Sequence, residues 1–125
     1  MERQTILIVD DDKASRDIMR LFLKEICDVE LAEDGAIAIK KVSEKQYDAI
    51  LMDIGLGRQM SGLEATKIIR SIKHCEKIPI IAVTAYAMKG DREEFLSSGC
   101  THYLSKPFES GTIQSLIKEV LSINP

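Results

Sequence analysis

The chain has few cysteines and no long apolar run, and each shortage excludes a class of protein. Its three cysteines, Cys27, Cys75 and Cys100, are widely spaced and form no C-x-x-C pair, which argues against a disulfide framework and against a zinc site. The longest nearly apolar stretch, residues 78–88, is too short to span a bilayer. The first residues form no basic-then-apolar signal segment. The sequence therefore predicts a cytoplasmic protein that does not insert into a membrane.

The chain also lacks an excess of positive charge and the glycine motifs of nucleotide-binding proteins. Lys and Arg number 17 against 20 Asp and Glu, for a net charge of -3, which predicts no direct binding of nucleic acid. Neither G-x-G-x-x-G nor G-x-x-x-x-G-K-[ST] occurs. With 125 residues, 45% hydrophobic and 30% charged, the chain has the composition of a globular protein, and we expect one domain over residues 1–125.

Short apolar runs alternate with helical patterns along the chain. Strands are predicted at residues 5–9, 29–32, 49–52, 80–83 and 101–104, because their runs are continuous and bounded by turn residues. Helices are predicted at residues 13–27, 35–44, 62–73, 91–98 and 110–122. This alternation requires right-handed crossovers. The predicted fold is α/β, with a five-stranded parallel sheet, doubly wound, and five helices on both faces.

Two helix boundaries carry specific signals. Ser61 is followed three residues later by Glu64, the spacing of a capping box that starts a helix. Gly99 follows the fourth predicted helix and suits the position just beyond a helix end.

The candidate site residues follow four of the five predicted strands. Asp10 and Asp11 follow the first strand, Asp53 the third, Thr84 the fourth and Lys106 the fifth. In such sheets the ligand site lies at the carboxyl ends of the strands, near the point where the strand order reverses. Carboxylates that converge there repel one another, and a hard divalent cation with oxygen ligands would offset that repulsion. The sequence thus predicts a metal-dependent acidic site.

The order and spacing of these residues resemble the receiver domain of two-component response regulators. The resemblance covers essentially the whole chain. The matching positions are the pairs Asp10-Asp11, Thr84-Ala85 and Lys106-Pro107 and the single Asp53. Residues 89–93 and 103–108 are similar to receivers of hybrid sensor histidine kinases. The resemblance implies a flavodoxin-like fold and a phosphoacceptor switch of a phosphorelay, not an enzyme that turns over a separate substrate.

The resemblance assigns the acidic residues to phosphoryl transfer. Asp53 would be the nucleophile that accepts a phosphoryl group from phosphohistidine or a small donor. The expected partners are therefore a histidine kinase or a histidine phosphotransfer domain. Asp10, Asp11, Asp53 and the backbone carbonyl of Gly55 would hold Mg²⁺.

The resemblance also assigns a switch. Lys106 would bring a positive charge to the phosphoryl oxygens and Thr84 a hydroxyl donor. Pro107 would form a cis peptide with Lys106 that directs the ammonium into the site. Thr84 and Tyr103 would move together on phosphorylation and change the surface formed by the fourth helix, the fifth strand and the fifth helix.

One segment departs from the receiver pattern. Receivers commonly have a Met-Pro pair soon after the phosphoacceptor and a glycine eight residues beyond it. Here residues 54–62 contain no proline, and Gly62 lies nine residues after Asp53. The loop is thus one residue longer, and metal binding at Gly55 is the property that this change affects most.

Other interpretations remain open at this stage. The run Asp10-Asp11-Asp12 also suits a solvated turn with Asp12 as a helix cap, and Arg16 suits a solvated basic stripe with Arg20 and Lys24. A haloacid-dehalogenase-like phosphatase would also use a strand-end aspartate and Mg²⁺, and a receiver-like binding module would use neither. The sequence does not distinguish a stand-alone regulator from part of a hybrid kinase, which would be the only route to membrane tethering.

Overall fold

A computed structural model of the protein describes residues 3–56, 60–85 and 89–122. Strands and helices alternate in the predicted order. They are β1 (Thr5–Val9), α1 (Lys13–Leu23), β2 (Asp28–Ala32), α2 (Gly35–Glu44), β3 (Ala49–Asp53), α3 (Gly62–Arg70), β4 (Ile80–Thr84), α4 (Lys89–Ser98), β5 (His102–Ser105) and α5 (Ser110–Ser122). A short 3₁₀ turn, Lys73–Cys75, precedes β4. Half of the strand boundaries coincide with the predicted ones, and the others differ from them by one residue.

The five strands form one parallel sheet in the order β2-β1-β3-β4-β5. The chain runs outward from β1 to β2 and then returns past β1 to place β3 on its other side. The strand order therefore reverses between β1 and β3. The carboxyl ends of these two strands flank the crevice in which open α/β sheets bind their ligands.

Helices cover both faces of the sheet, which confirms the doubly wound prediction. All residues of β3 and β4 are buried, and because side chains alternate along a strand, each strand serves two cores. Ile50 and Ile80 pack on the side of α2, α3 and α4. Leu51 and Ile81 pack on the side of α1 and α5. The two cores hold the strand ends, and hence the residues just beyond them, in fixed positions.

Two helices end earlier than predicted, because the chain turns there to enter a new element. The prediction of residues 13–27 was too long: α1 ends at Leu23, whose carbonyl accepts a hydrogen bond from the N–H of Cys27 (3.1 Å). Asp28 then pairs with Thr5 as β2 begins. The helix of residues 62–73 ends at Arg70, so that residues 73–75 can form the 3₁₀ turn.

The side chain of Arg70, the last residue of α3, connects the segment after α3 to the residue that follows α4. Its guanidinium donates hydrogen bonds to the carbonyl of Gly99 (2.9 and 2.7 Å) and to the carbonyl of Cys75 (2.9 Å). Partial burial lowers the pKa of this arginine, and its carbonyl partners compensate for the lost hydration.

The predicted helix caps are present. The Ser61 hydroxyl accepts a hydrogen bond from the N–H of Glu64 (3.1 Å), and the Glu64 carboxylate accepts one from the N–H of Ser61 (3.2 Å). Gly99 has φ of +113°, a conformation that favours glycine. Within the described part of the chain, the helices are all too short or too polar to cross a bilayer.

Gly62 is required where α3 begins, because its Cα lies against the end of β3. A Cβ at this position would overlap the carbonyl oxygen of Asp53 and lie 2.9 Å from the Cα of Ile54.

Gly62→Ala should therefore lower the free energy of unfolding by roughly 1–3 kcal/mol, as overpacking typically does. The control is Gly111→Ala in α5, where a Cβ meets nothing within 4 Å; it should raise stability by up to about 1 kcal/mol. Urea denaturation of both variants checks this, and equal stabilities would contradict it.

Candidate functional site

The structure brings three of the predicted acidic residues together at the point where the strand order reverses. Asp10 directly follows β1, and Asp53 is the last residue of β3. Carboxylate oxygens of Asp10, Asp11 and Asp53 all lie within 4.8 Å of one another. Two further candidate residues lie at the same edge of the sheet: Thr84 is the last residue of β4, and Lys106 directly follows β5.

Asp10 is fully buried and is fixed by several hydrogen bonds. One carboxylate oxygen accepts the N–H of Asp12 (2.9 Å), and the other accepts the Lys106 ammonium (3.4 Å). Arg16 donates to the backbone carbonyl of Asp10 (2.8 Å). The interpretation of Arg16 as part of a solvated basic stripe was therefore incomplete, because its side chain is half-buried and holds the turn after β1. In the sequence, only the position of Arg16 in the first turn of α1 could have indicated this contact.

Lys106 lies between the two buried carboxylates. Its ammonium nitrogen is 4.0 Å from a carboxylate oxygen of Asp53 as well as 3.4 Å from Asp10. The other Asp53 oxygen accepts the N–H of Gly55 (2.9 Å). The Lys106–Pro107 peptide is cis, as predicted. A single ammonium thus faces two carboxylates, and the cluster keeps an excess of negative charge.

Asp11 and Asp12 differ in what their carboxylates contact, although both are exposed. Asp12 caps α1, since its carboxylate accepts the N–H of Ser15 (3.0 Å). That hydrogen bond lowers the pKa of Asp12. Asp11, in contrast, belongs to the group of converging carboxylates. The interpretation of Asp12 as a helix cap is therefore confirmed.

A cleft of about 380 Å³ opens beside Asp53. Thr84 and Lys106 line it, as the sequence predicted, and so do Glu94 and Phe95 of α4. These two were not predicted, because the weak periodicity of α4 does not indicate which of its residues face the sheet edge. The cleft is large enough for a small anionic group next to the Asp53 carboxylate.

Other predicted residues lie around this cleft. Gly55 also lines it, and a Cβ on Gly55 would be 3.5 Å from an Asp53 carboxylate oxygen. Tyr103 is on β5 at 37% exposure, outside the cleft. Residues 57–59 of the lengthened loop fall outside the described part of the chain.

The donor set fits a divalent cation that prefers oxygen. Three carboxylates converge while one ammonium faces them, and such a concentration of negative charge is stabilised by a hard cation such as Mg²⁺. The cluster contains no sulfur or imidazole ligand, which a zinc site would favour.

Asp53 has a perturbed pKa. Burial and, to a smaller extent, the nearby Asp10 carboxylate raise the pKa of Asp53 from 3.8 to about 6, while the N–H of Gly55 and the Lys106 ammonium oppose the increase. At neutral pH the carboxylate is therefore mostly ionised, and its charge is held in place at a cost in stability.

The raised pKa of Asp53 predicts that the free energy of unfolding falls as the pH rises. A carboxyl with a folded pKa above its unfolded value stabilises the fold at low pH and loses that contribution as the pH rises through about 6. In metal-free buffer at neutral pH, Asp53→Asn should raise the free energy of unfolding by on the order of 1–3 kcal/mol. The gain should nearly vanish near pH 4. Urea denaturation with EDTA at both pH values checks this, with Asp12→Asn as the control. An Asp53→Asn variant no more stable than wild type at neutral pH would contradict it.

Comparison with known proteins agrees with this architecture. A family model described as the response regulator receiver domain matches residues 6–118. The receiver domain of the sensor histidine kinase PA1611 from Pseudomonas aeruginosa superposes with a TM-score of 0.88 at 36% identity, covering 96% of this chain and 98% of that one. That structure holds a magnesium ion coordinated in the active site cleft. Chemotaxis protein CheY4 of Vibrio cholerae superposes with a TM-score of 0.90 at 28% identity, over 95% and 99% of the two chains.

Sequence relatives include both long kinases and a short regulator. The histidine kinase BarA of Escherichia coli K12 is 35% identical over 114 residues, which are 90% of this chain but 12% of BarA. The polar-differentiation response regulator DivK of Brucella ovis is 38% identical over an alignment of 122 residues that covers 94% of this chain and 96% of DivK. The chain thus spans a small part of the length of the kinases that it matches. The phosphatase and the non-phosphorylated binding module are not favoured. The chain belongs to the response regulator receiver domain family, the phosphoacceptor switches of two-component signalling.

Proposed function

We propose that Asp53 is the phosphoacceptor of this receiver. The observation that carries the proposal is the position of its carboxylate, which lines the cleft together with Thr84 and Lys106 and faces Asp10 and Asp11. An anionic nucleophile attacks an anionic phosphoryl group only where positive charge and hydrogen-bond donors offset the repulsion. In this chain those groups surround the Asp53 carboxylate.

The transfer requires little covalent chemistry from the protein. A carboxylate oxygen of Asp53 forms a bond to phosphorus while the bond from phosphorus to its donor breaks, and the donor atom keeps the electron pair. With phosphohistidine the donor atom is an imidazole nitrogen; with acetyl phosphate it is an acetate oxygen. Lys106 would pair with the phosphoryl oxygens and Thr84 would donate its hydroxyl to them. The protein thus assists only its own phosphorylation and dephosphorylation.

Asp10, Asp11 and Asp53, with the carbonyl of Gly55, would hold Mg²⁺. When bound, the cation supplies positive charge that neutralises both the carboxylates and the incoming phosphoryl oxygens. The magnesium ion in the cleft of the related PA1611 receiver supports this assignment, as does the convergence of the three carboxylates.

The output of the phosphorylated state would run through Thr84 and Tyr103. Thr84 is buried beside the cleft and Tyr103 is partly exposed on the neighbouring strand. A phosphoryl group on Asp53 would draw the Thr84 hydroxyl toward it, and Tyr103 would turn inward, so that the α4-β5-α5 surface changes.

Beryllofluoride, a phosphoryl mimic, should therefore shift the amide resonances of this surface. Unchanged resonances would contradict the switch.

The partner would be a histidine kinase or a histidine phosphotransfer domain, in keeping with the hybrid kinases among the relatives. We place the reaction in the cytoplasm, since Cys27, Cys75 and Cys100 are free thiols of the kind that a reducing compartment preserves. We also propose that residues 1–125 act as one receiver domain.

Phosphorylation of Asp53 can be tested by mass. Incubated with Mg²⁺ and acetyl phosphate, the intact protein should gain the mass of one phosphoryl group, and Asp53→Ala should gain none. The control is Asp12→Ala, which removes a nearby carboxylate that caps α1 and should still be labelled. Stoichiometric labelling of the Asp53→Ala variant would overturn the assignment.

Mg²⁺ binding should distinguish Asp11 from its neighbour Asp12. Asp11→Asn removes a charge from the cluster of carboxylates, so Mg²⁺ affinity measured by calorimetry should fall by at least about tenfold, as for loss of a charged ligand. Asp12→Asn should leave the affinity nearly unchanged and alter stability by about 0.5 kcal/mol or less, because Asn caps helices almost as well as Asp. Equal losses of affinity in both variants would refute this division.

A further inference from the structure

Arg92 of α4 contacts the Tyr103 side chain at the protein surface. The Arg92 guanidinium donates a hydrogen bond to the Tyr103 hydroxyl, and its central carbon lies 4.6 Å from the centroid of the ring. One cation therefore binds both the polar tip and the aromatic face of the tyrosine. The ring also borders an open groove of about 320 Å³, lined by Phe95, Leu96 and Leu116 among others, so that packing alone does not enclose it.

Tyr103 and Thr84 lie on the same face of the sheet. The register of β4 and β5 pairs Tyr103 with Ala82 and Ser105 with Thr84. Because side chains alternate along each strand, Ala82, Thr84 and Tyr103 share one face. Ala82 belongs to the core on the side of α2, α3 and α4, while Leu104 belongs to the opposite core. Tyr103 can thus turn toward Thr84 without crossing the sheet, but it must leave Arg92 to do so.

We propose that Arg92 is a positioning residue that acts as a latch: it holds Tyr103 in the outward position and so keeps the unphosphorylated receiver inactive. The inference rests on the proposed switch through Thr84 and Tyr103. Contacts made in only one of two states shift the populations of both states. Cation–π contacts and hydrogen bonds at an exposed site are weak, so loss of the latch should raise the ratio of inward to outward Tyr103 about three- to tenfold.

The test compares Arg92→Met with a control of equal charge change. Met keeps the length of the side chain but removes the cation and its donors. Lys118→Met removes one positive charge from an exposed position on α5, the helix beside β5. For each protein, the dissociation constant of beryllofluoride is measured in saturating Mg²⁺, and the Tyr103 ring resonances are followed in protein labelled with ¹³C-tyrosine. Both measurements are made on the full chain.

Arg92→Met should bind beryllofluoride about three- to tenfold more tightly than wild type, since the affinity of a ligand scales with the population of the state that binds it. A damaged fold would weaken binding, so a gain of affinity separates the latch from a merely structural role. The free Arg92→Met protein should also show Tyr103 resonances shifted toward those of bound wild type. Lys118→Met should match wild type in both measurements.

A double-mutant cycle isolates the contact with Tyr103 from the charge of Arg92. In a Tyr103→Ala background there is no ring to hold, so Arg92→Met should no longer change the affinity for beryllofluoride. An affinity of Arg92→Met equal to or weaker than that of Lys118→Met would overturn the latch alone, provided that the Tyr103 resonances of wild type move on binding. Wild-type resonances that do not move would overturn the switch and the latch together, and a wild type that binds no beryllofluoride would overturn the proposed function.

Discussion

The repulsion among the carboxylates at the point where the strand order reverses is the constraint on which the site depends. Asp10 is fully buried and Asp53 nearly so, and their carboxylates share one ammonium, that of Lys106. Burial first, and then the nearby Asp10 carboxylate, raise the pKa of Asp53, and Lys106 offsets only part of this increase. A bound cation would offset this excess negative charge, and it would also lower the repulsion that an incoming phosphoryl group meets. The fold tolerates the charge because two cores hold the strands in place.

The backbone around this charge is held by short, specific contacts. The N–H groups of Asp12 and Gly55 each donate to one of the buried carboxylates, and Arg16 holds the carbonyl at the end of β1. Gly62 lets α3 begin directly against the carbonyl of Asp53. These contacts fix the acidic residues before any ligand arrives, which is the preorganisation that electrostatic stabilisation of a transferring group requires.

The sequence was sufficient for the fold and for the residues that follow the strands, because buried parallel strands leave a continuous apolar signal and their ends must meet. It was insufficient where an outcome depends on packing between elements. Helix α1 ends at Leu23 because β2 must begin in time to pair with Thr5. The hydrophobic pattern of residues 13–27 does not indicate that pairing. Glu94 at the cleft and Arg92 on Tyr103 both depend on how α4 lies against the sheet. The apolar residues of α4 show little helical periodicity, so the sequence does not indicate which face of this helix lies against the sheet.

The proposed switch would separate a fixed site from a movable side chain, because the contacts of the two differ in burial. Lys106 pairs with the carboxylate of Asp10, which is fully buried, and electrostatic interactions with a buried charge are stronger than those at the surface. Arg92 holds Tyr103 at the surface, where water competes for the same groups and the contact is weak. A switch needs this asymmetry, because a phosphoryl group can bias an equilibrium only by its differential contacts with the two states. If the contact with Tyr103 were as strong as those around Asp53, phosphorylation could not shift it.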